Sequence, residues 1–237
     1  MKKLNPIKLS VLTLAFSAIA FSLKAQDSKD VPLRNFNEVS VSSGIDLYLT
    51  QSTAENIKVI AHPDLLKDII IEKENNLLKI RYRNNISWGR MFKGQSIKVY
   101  VNYKTLQAIS ASGGSDVFTQ NILKTDKLVA SVSGGSDLEL NLVTKDLQVQ
   151  SSGGSDIELK GSAVNMQASV SGGSDIDALG FVVEYARVTA SGGSDANVNV
   201  TKALEASASG GSDVNYKGNP SVKKTSSSRS GDVKRIN

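Results

Sequence analysis

Ser112-Gly113-Gly114-Ser115-Asp116 returns as Ser133-Gly134-Gly135-Ser136-Asp137 and Ser152-Gly153-Gly154-Ser155-Asp156. It returns again as Ser171-Gly172-Gly173-Ser174-Asp175, Ser191-Gly192-Gly193-Ser194-Asp195 and Ser209-Gly210-Gly211-Ser212-Asp213. These copies begin 21, 19, 19, 20 and 18 residues apart, and a degenerate seventh, Ser228-Arg229-Ser230-Gly231-Asp232, follows them. A fixed period near 20 residues marks a solenoid, in which no unit buries its apolar face alone and each stacks on its neighbours.

The residues around each copy identify the kind of solenoid. Before the corner, Leu128, Ala130 and Val132, then Leu147 and Val149, then Met166, Ala168 and Val170 alternate with Ser, Gln and Val. After it, Val117, Leu138, Ile157, Ile176, Ala196 and Val214 restart the alternation. A period of two is a half-buried strand, so two strands meet at each Gly-Gly corner. Glycine there admits positive φ and close backbone approach, while Ser and Asp hydrogen-bond nearby amides. At ~3.3 Å per residue a rung has a contour of roughly 60 Å, enough for a closed coil of two or three short strands with rungs ~4.8 Å apart. The expectation is an all-β, parallel β-solenoid with aliphatic columns inside.

Upstream, Val39-Ser40-Val41-Ser42-Ser43-Gly44-Ile45-Asp46-Leu47-Tyr48-Leu49 is an eighth echo of the corner, so the coil is expected to begin near Phe36. Further strand signals lie at 57–61, 69–72, 77–83 and 97–103, with a helical turn at 63–67. Residues 34–104 thus read as irregular N-terminal strands and 105–237 as regular rungs, all within one domain spanning 26–237. Residues 1–25 read as a signal peptide: Lys2, Lys3 and Lys8 precede an apolar run from Leu9 to Leu23, and Ala25 suits cleavage. The run is shorter than the ~20 apolar residues of a membrane span, so no transmembrane segment is expected in the mature chain.

Of 28 Lys and Arg, four lie in that leader, which leaves 24 against 23 Asp and Glu. A near-neutral mature chain excludes the basic footprint of a nucleic-acid binder. With no Cys, disulfide scaffolds and thiol chemistry are excluded too.

Gly44-Ile45-Asp46-Leu47-Tyr48-Leu49-Thr50-Gln51, then Ile97-Lys98-Val99-Tyr100-Val101 and Leu106-Gln107-Ala108-Ile109-Ser110, then the Gly corners, resemble the bacterial family called putative auto-transporter adhesin, head GIN domain. The resemblance covers about residues 34–237, with the family's Gly-Ile-Asn standing here as Gly44-Ile45-Asp46. It implies a right-handed β-helix-like fold similar to pectin-lyase solenoids, secretion to the periplasm or cell surface, no established catalytic residues, and a role in cell adhesion.

Three groups of residues are candidates for function. The aspartates of the corners stack like charges at the rung spacing, where repulsion is about 1 kcal/mol per neighbour in water. One resolution is that each Asp accepts from a local Ser hydroxyl or backbone amide. The other is Ca²⁺, bound by Asp137, Glu139, Asp156, Glu158, Asp175 and Asp177. No other cofactor is expected. The segment holding Trp88, Arg90 and Phe92 is either a binding loop with aromatic and Arg anchors or a cap over an open end. His62, the sole histidine, stands beside Pro63 with no nucleophile motif near it, so no catalytic residue is assigned. The expectation is a non-enzymatic adhesin of the cell envelope that binds an unidentified glycan or protein. The alternatives are a polysaccharide-modifying enzyme on a pectin-lyase-like scaffold and a periplasmic structural protein.

Overall fold

Alternation with two exposed residues in succession is what lets one long strand turn a corner. In β11 (Asp137–Ser152), Leu138, Leu140, Leu142 and Thr144 point inward, Lys145 and Asp146 both face out, and Leu147, Val149 and Ser151 point inward again. The same step falls at Val164 and Asn165 in β12 (Asp156–Ser171) and beside Tyr185 in β13 (Asp175–Ser191). Each rung is therefore a longer leg, a bend, a shorter leg and a glycine corner. The computed structural model describes residues 27–83, 96–225 and 230–237, 71% of the chain being strand, and forms a β-solenoid of about 7 turns with rungs about 19 residues apart. The parallel solenoid expected from the repeats is thus observed.

The regular part winds from β8 (Ala108–Ser112) and β9 (Val117–Thr119) through β10 (Leu123–Ser133), β11, β12, β13 and β14 (Asp195–Ser209), all in parallel. It ends in β15 (Asp213–Lys217), β16 (Ser221–Lys224) and β17 (Asp232–Arg235), with Asp213 in register with Asp232. Corner residues hold their register from rung to rung, so Leu138, Ile157, Ile176, Ala196 and Val214 form one buried column. A second column alternates size: Gly161 stands in register between Leu142 and Phe181, which is fully buried. Such alternation fills a shared interior without overpacking.

The first rung is β2 (Glu38–Ser42) and β3 (Ile45–Gln51), joined at Ser43-Gly44. From it the chain builds an end layer before continuing the coil. This layer comprises β4 (Asn56–Ala61), α1 (Pro63–Leu66), β5 (Ile69–Glu74), β6 (Leu77–Tyr82) and β7 (Ile97–Tyr103). β6 and β7 lie parallel to β2 and β3 on one side, and β8 and β9 lie parallel to them on the other. β4 is antiparallel to β7, β5 to β6, and β1 (Asp27–Val31) to β4. Antiparallel strands thus close this end, a feature that hydrophobic alternation cannot foretell because it is the same for either direction.

The two corner glycines have different duties. Both take left-handed φ, 79° at Gly192 and 78° at Gly193. A Cβ on Gly192 would stand 3.1 Å from the backbone N of Gly172 in the preceding rung, whereas one on Gly193 would meet nothing within 4 Å. The first glycine is demanded by stacking and by φ, the second by φ alone. The following Ser is fully buried in every copy from Ser115 to Ser212. From Ser115 to Ser174 its hydroxyl accepts an amide of the preceding rung, as where Ser115 N–H donates to Ser136 Oγ at 2.9 Å and Ser155 N–H to Ser174 Oγ at 3.1 Å, whereas Ser194 Oγ accepts Ser191 N–H of its own corner at 3.2 Å.

Gly193→Ala should therefore lower stability by about 1 kcal/mol, the cost of a side chain in the left-handed region. Gly192→Ala should lower it further because a rung must also shift. Chemical unfolding of the two variants measures this, and equal losses would remove inter-rung approach as the constraint.

Candidate functional site

The structure brings the candidate carboxylates into two registered columns. Asp137, Asp156 and Asp175 stand above one another, as do Glu139, Glu158 and Asp177. In the first column one oxygen of each Asp accepts the backbone amide of the next rung's Asp. Asp137 N–H donates to Asp116 Oδ1 at 3.2 Å, Asp156 N–H to Asp137 Oδ1 at 3.3 Å, and Asp175 N–H to Asp156 Oδ1 at 3.3 Å. The series continues from Asp195 N–H to Asp175 Oδ1 and from Asp213 N–H to Asp195 Oδ1, both at 3.1 Å. Charge-assisted bonds of this kind offset the like-charge repulsion. The acceptor role matches expectation, but the donor lies in the following rung rather than within the local turn.

The second column carries its own counter-ion. Lys160 Nζ lies 2.6 Å from Glu158 Oε1, and this bond, helped by the charges of Glu139 and Asp177, pushes the Lys160 ammonium above its ordinary pKa. Asp177 Oδ1 accepts from Leu179 N–H at 3.0 Å. Among the described residues no group of three or more His, Asp and Glu side chains is arranged to hold a metal ion. Of the six residues considered for Ca²⁺, Asp137, Asp156, Asp175 and Asp177 are tied to backbone amides and Glu158 to a lysine.

At the head of the Asp column, Asp116 is in line with Asp46. Burial raises both carboxyls above the usual range. Lys98 opposes the rise at Asp46. At Asp116 the amide of Asp137 opposes it, while Asp137, Asp46 and Glu139 add to it. Beside this column Tyr100, Tyr48 and Phe118 stack across three rungs, with centroids 4.8 and 5.2 Å apart. His62 caps α1, its Nδ1 accepting from Asp64 N–H at 3.3 Å. Trp88, Arg90 and Phe92 lie outside the described residues, as do residues 1–25, where a signal peptide is expected.

A site not anticipated from the sequence lies on the far side of the coil. A groove of about 540 Å³ crosses the short legs of β10 to β14. Asp146, Asn165, Tyr185 and Ala203 form one registered row, and Gln148, Gln167, Arg187 and Glu205 form the next. Leu147, Met166 and Ala186 contribute the floor. Its two carboxylates are held in place: Arg187 Nη2 bonds Glu205 Oε2 at 2.8 Å, and Asn165 Nδ2 donates to Asp146 Oδ1 at 2.8 Å. Tyr185 stays 45% exposed, with Lys202 Nζ 5.4 Å from its ring centroid and itself 2.6 Å from Glu184 Oε2. Alternation places Tyr185 outward next to buried Ala186, which is legible in sequence. The opening beside it depends on Ala203 one rung away, which is not.

The chain matches the family described as putative auto-transporter adhesin, head GIN domain, over residues 35–220. It is similar to a putative adhesin of known structure from Bacteroides fragilis NCTC 9343, at 26% identity over 90% of this chain and 98% of that one, with a TM-score of 0.80. A putative adhesin from Parabacteroides merdae ATCC 43184 shares the fold at 22% identity, over 90% and 96% of the two chains, with a TM-score of 0.72. So does a putative lipid binding protein from Parabacteroides distasonis ATCC 8503, at 19% identity over 90% and 97%, with a TM-score of 0.71. No curated protein matches the sequence.

The Asp column yields a paired prediction. Asp116→Asn keeps an oxygen for the Asp137 amide and removes a charge disfavoured by burial, whereas Asp116→Ala leaves that amide without its acceptor, a loss of about 1 kcal/mol. A carboxyl with a raised folded pKa opposes folding once ionised, and this penalty vanishes as the pH falls below the unfolded value, where both states are protonated. Asp116→Asn should therefore match or exceed the parent at pH 7, with the difference closing on acidification. Thermal melts across pH measure it, and an Asn variant no more stable than the Ala variant at neutral pH would contradict the ladder.

Proposed function

Since the chain belongs to the family described as putative auto-transporter adhesin, head GIN domain, we propose that it is a non-catalytic adhesin that is exported through its leader and holds an envelope or extracellular glycan or protein on the outer faces of the coil. The observation that carries this reading is the outward face of the short legs. Gln150, Ser169, Thr189 and Ser207 form one registered polar column, and Ser152, Ser171, Ser191 and Ser209 form another beside it. Equal contacts repeated at the rung spacing suit an extended or repetitive partner, where several weak bonds act together. The relative from Bacteroides fragilis, itself described as a putative adhesin, supports the same role.

The carboxylates of the groove favour binding over glycoside cleavage. Asp146 and Glu205 lie three rungs apart, roughly 14 Å at the spacing of strands. A pair flanking a scissile glycosidic bond stands about 5 to 10 Å apart. Glu205 is also ion-paired to Arg187, and Asp146 accepts from Asn165.

The mature chain, residues 26–237, should retain immobilised envelope or extracellular glycans or proteins on arrays and release no product from them. Steady product release from a polysaccharide, followed by chromatography, would replace the adhesin with an enzyme. Protease treatment of intact cells should cut the protein if it is displayed at the surface.

A further inference from the structure

We propose that the groove across β10 to β14 is a binding subsite for a neutral oligosaccharide, with Tyr185 as the platform on which a sugar ring rests. This rests on the adhesin reading and names the ligand class and the place. The groove's volume, about 540 Å³, is that of a small-molecule site. Its shape is elongated, because it crosses the strands from Lys127 in β10 to Glu205 in β14. Four strand spacings amount to roughly 19 Å, the length of a few pyranose units laid end to end.

The lining selects for neutral sugar. Its charged side chains are two cations, Lys127 and Arg187, and two carboxylates, Asp146 and Glu205. Arg187 is bound to Glu205, and Asp146 accepts from Asn165. The remaining cation, Lys127, stands in register with Asp146, so an acidic glycan reaching Lys127 also meets that carboxylate, and a cationic ligand reaching Asp146 also meets that ammonium. The amides of Gln148 and Gln167 each offer a donor and an acceptor, which is how vicinal hydroxyls are recognised. They stand one rung apart in register, so successive sugar units can meet successive amides.

Tyr185 supplies the apolar contact. Among the described residues the large exposed apolar side chains are Ile122, Val143, Val164, Val182 and Tyr185, and the ring of Tyr185 alone lines the groove. In register beside it stands Ala203, whose methyl group leaves room along the ring. The ammonium of Lys202, anchored by Glu184, lies over the ring and fixes its orientation before any ligand arrives. An exposed aromatic held in place beside side-chain amides provides both an apolar surface for the C–H face of a pyranose and partners for its hydroxyls.

The test titrates residues 26–237 with cellohexaose, mannohexaose and maltohexaose, using tri-galacturonate as the acidic probe, by calorimetry and saturation-transfer NMR. At least one neutral hexasaccharide should bind, and tri-galacturonate should bind more weakly. Tyr185→Ala should weaken binding about tenfold, and Tyr185→Phe, which keeps the ring, by much less. Ala203→Trp, which fills the groove without removing a contact, should also abolish binding, with circular dichroism melts confirming that each variant folds. Binding that survives both Tyr185→Ala and Ala203→Trp would overturn the site. If no neutral hexasaccharide binds while the protein still captures an acidic glycan or a protein on the arrays, the ligand class falls and the adhesin reading stands. Failure to bind anything on the arrays overturns both.

Discussion

Superposition of the glycine corners is the constraint on which the rest of the structure depends. Two successive residues in the left-handed region reverse the chain sharply, and a glycine in the first place lets its rung settle within van der Waals reach of the preceding one. Two sets of bonds then lock the stack from opposite directions. Amides pass forward to the Ser hydroxyl of the next rung, as from Ser155 to Ser174, and backward to the Asp carboxylate of the previous one, as from Asp175 to Asp156. At about 1 kcal/mol each, such bonds are small singly, but the Ser bond recurs from Ser115 to Ser174 and the Asp bond from Asp116 to Asp195. The corner can therefore carry a chain that has no cysteine to cross-link it.

Once the corners coincide, variation in rung length has to be absorbed elsewhere. β13 has 17 residues and β14 has 15, yet Asp175 still pairs with Asp195 and Ser191 with Ser209. The register slips instead between Ala178 and Val182, and again between Val183 and Tyr185. That is the side of the coil where the groove opens. The corner leaves only 3.0 to 3.4 Å between a Cβ on its first glycine and the neighbouring rung, while the opposite bend accepts extra residues, bulges and an exposed ring. A rigid spine with one permissive flank is how a solenoid acquires a binding surface without losing its stack.

The sequence was legible wherever the information was local. Period-two alternation assigned Leu138, Ile157 and Ile176 to the core, and the helical turn at Pro63 appeared where the turn residues placed it. What stayed hidden depends on residues 18 to 21 positions apart meeting at a fixed offset. The donor to each Asp is the next rung's own amide, so a local turn was the natural but incomplete reading. Likewise Tyr48, Tyr100 and Phe118 come from three separate segments and become a stack only when β7, β3 and β9 are laid side by side. The end layer was illegible for a different reason: β4 alternates as a parallel strand would, and only its pairing with β7 shows its direction.

The two flanks of the coil also differ in electrostatic character, and this bears on what each can hold. Along the Asp corner one carboxylate oxygen in each rung is committed to the stack and the charge remains, with Lys98, Lys160 and Lys234 placed against it at Asp46, Glu158 and Asp213. A ligand arriving there competes with bonds that support the fold. Around the groove the ion pairs close on themselves, and the side chains of Gln148, Gln167 and Tyr185 carry no part of the corner ladders. Binding energy can be drawn from them without loosening a rung, because the scaffold's own requirements are met on the opposite side. Separating the residues that hold the coil together from those that face a partner makes the bend at Tyr185, rather than the glycine corner, the place where recognition can evolve.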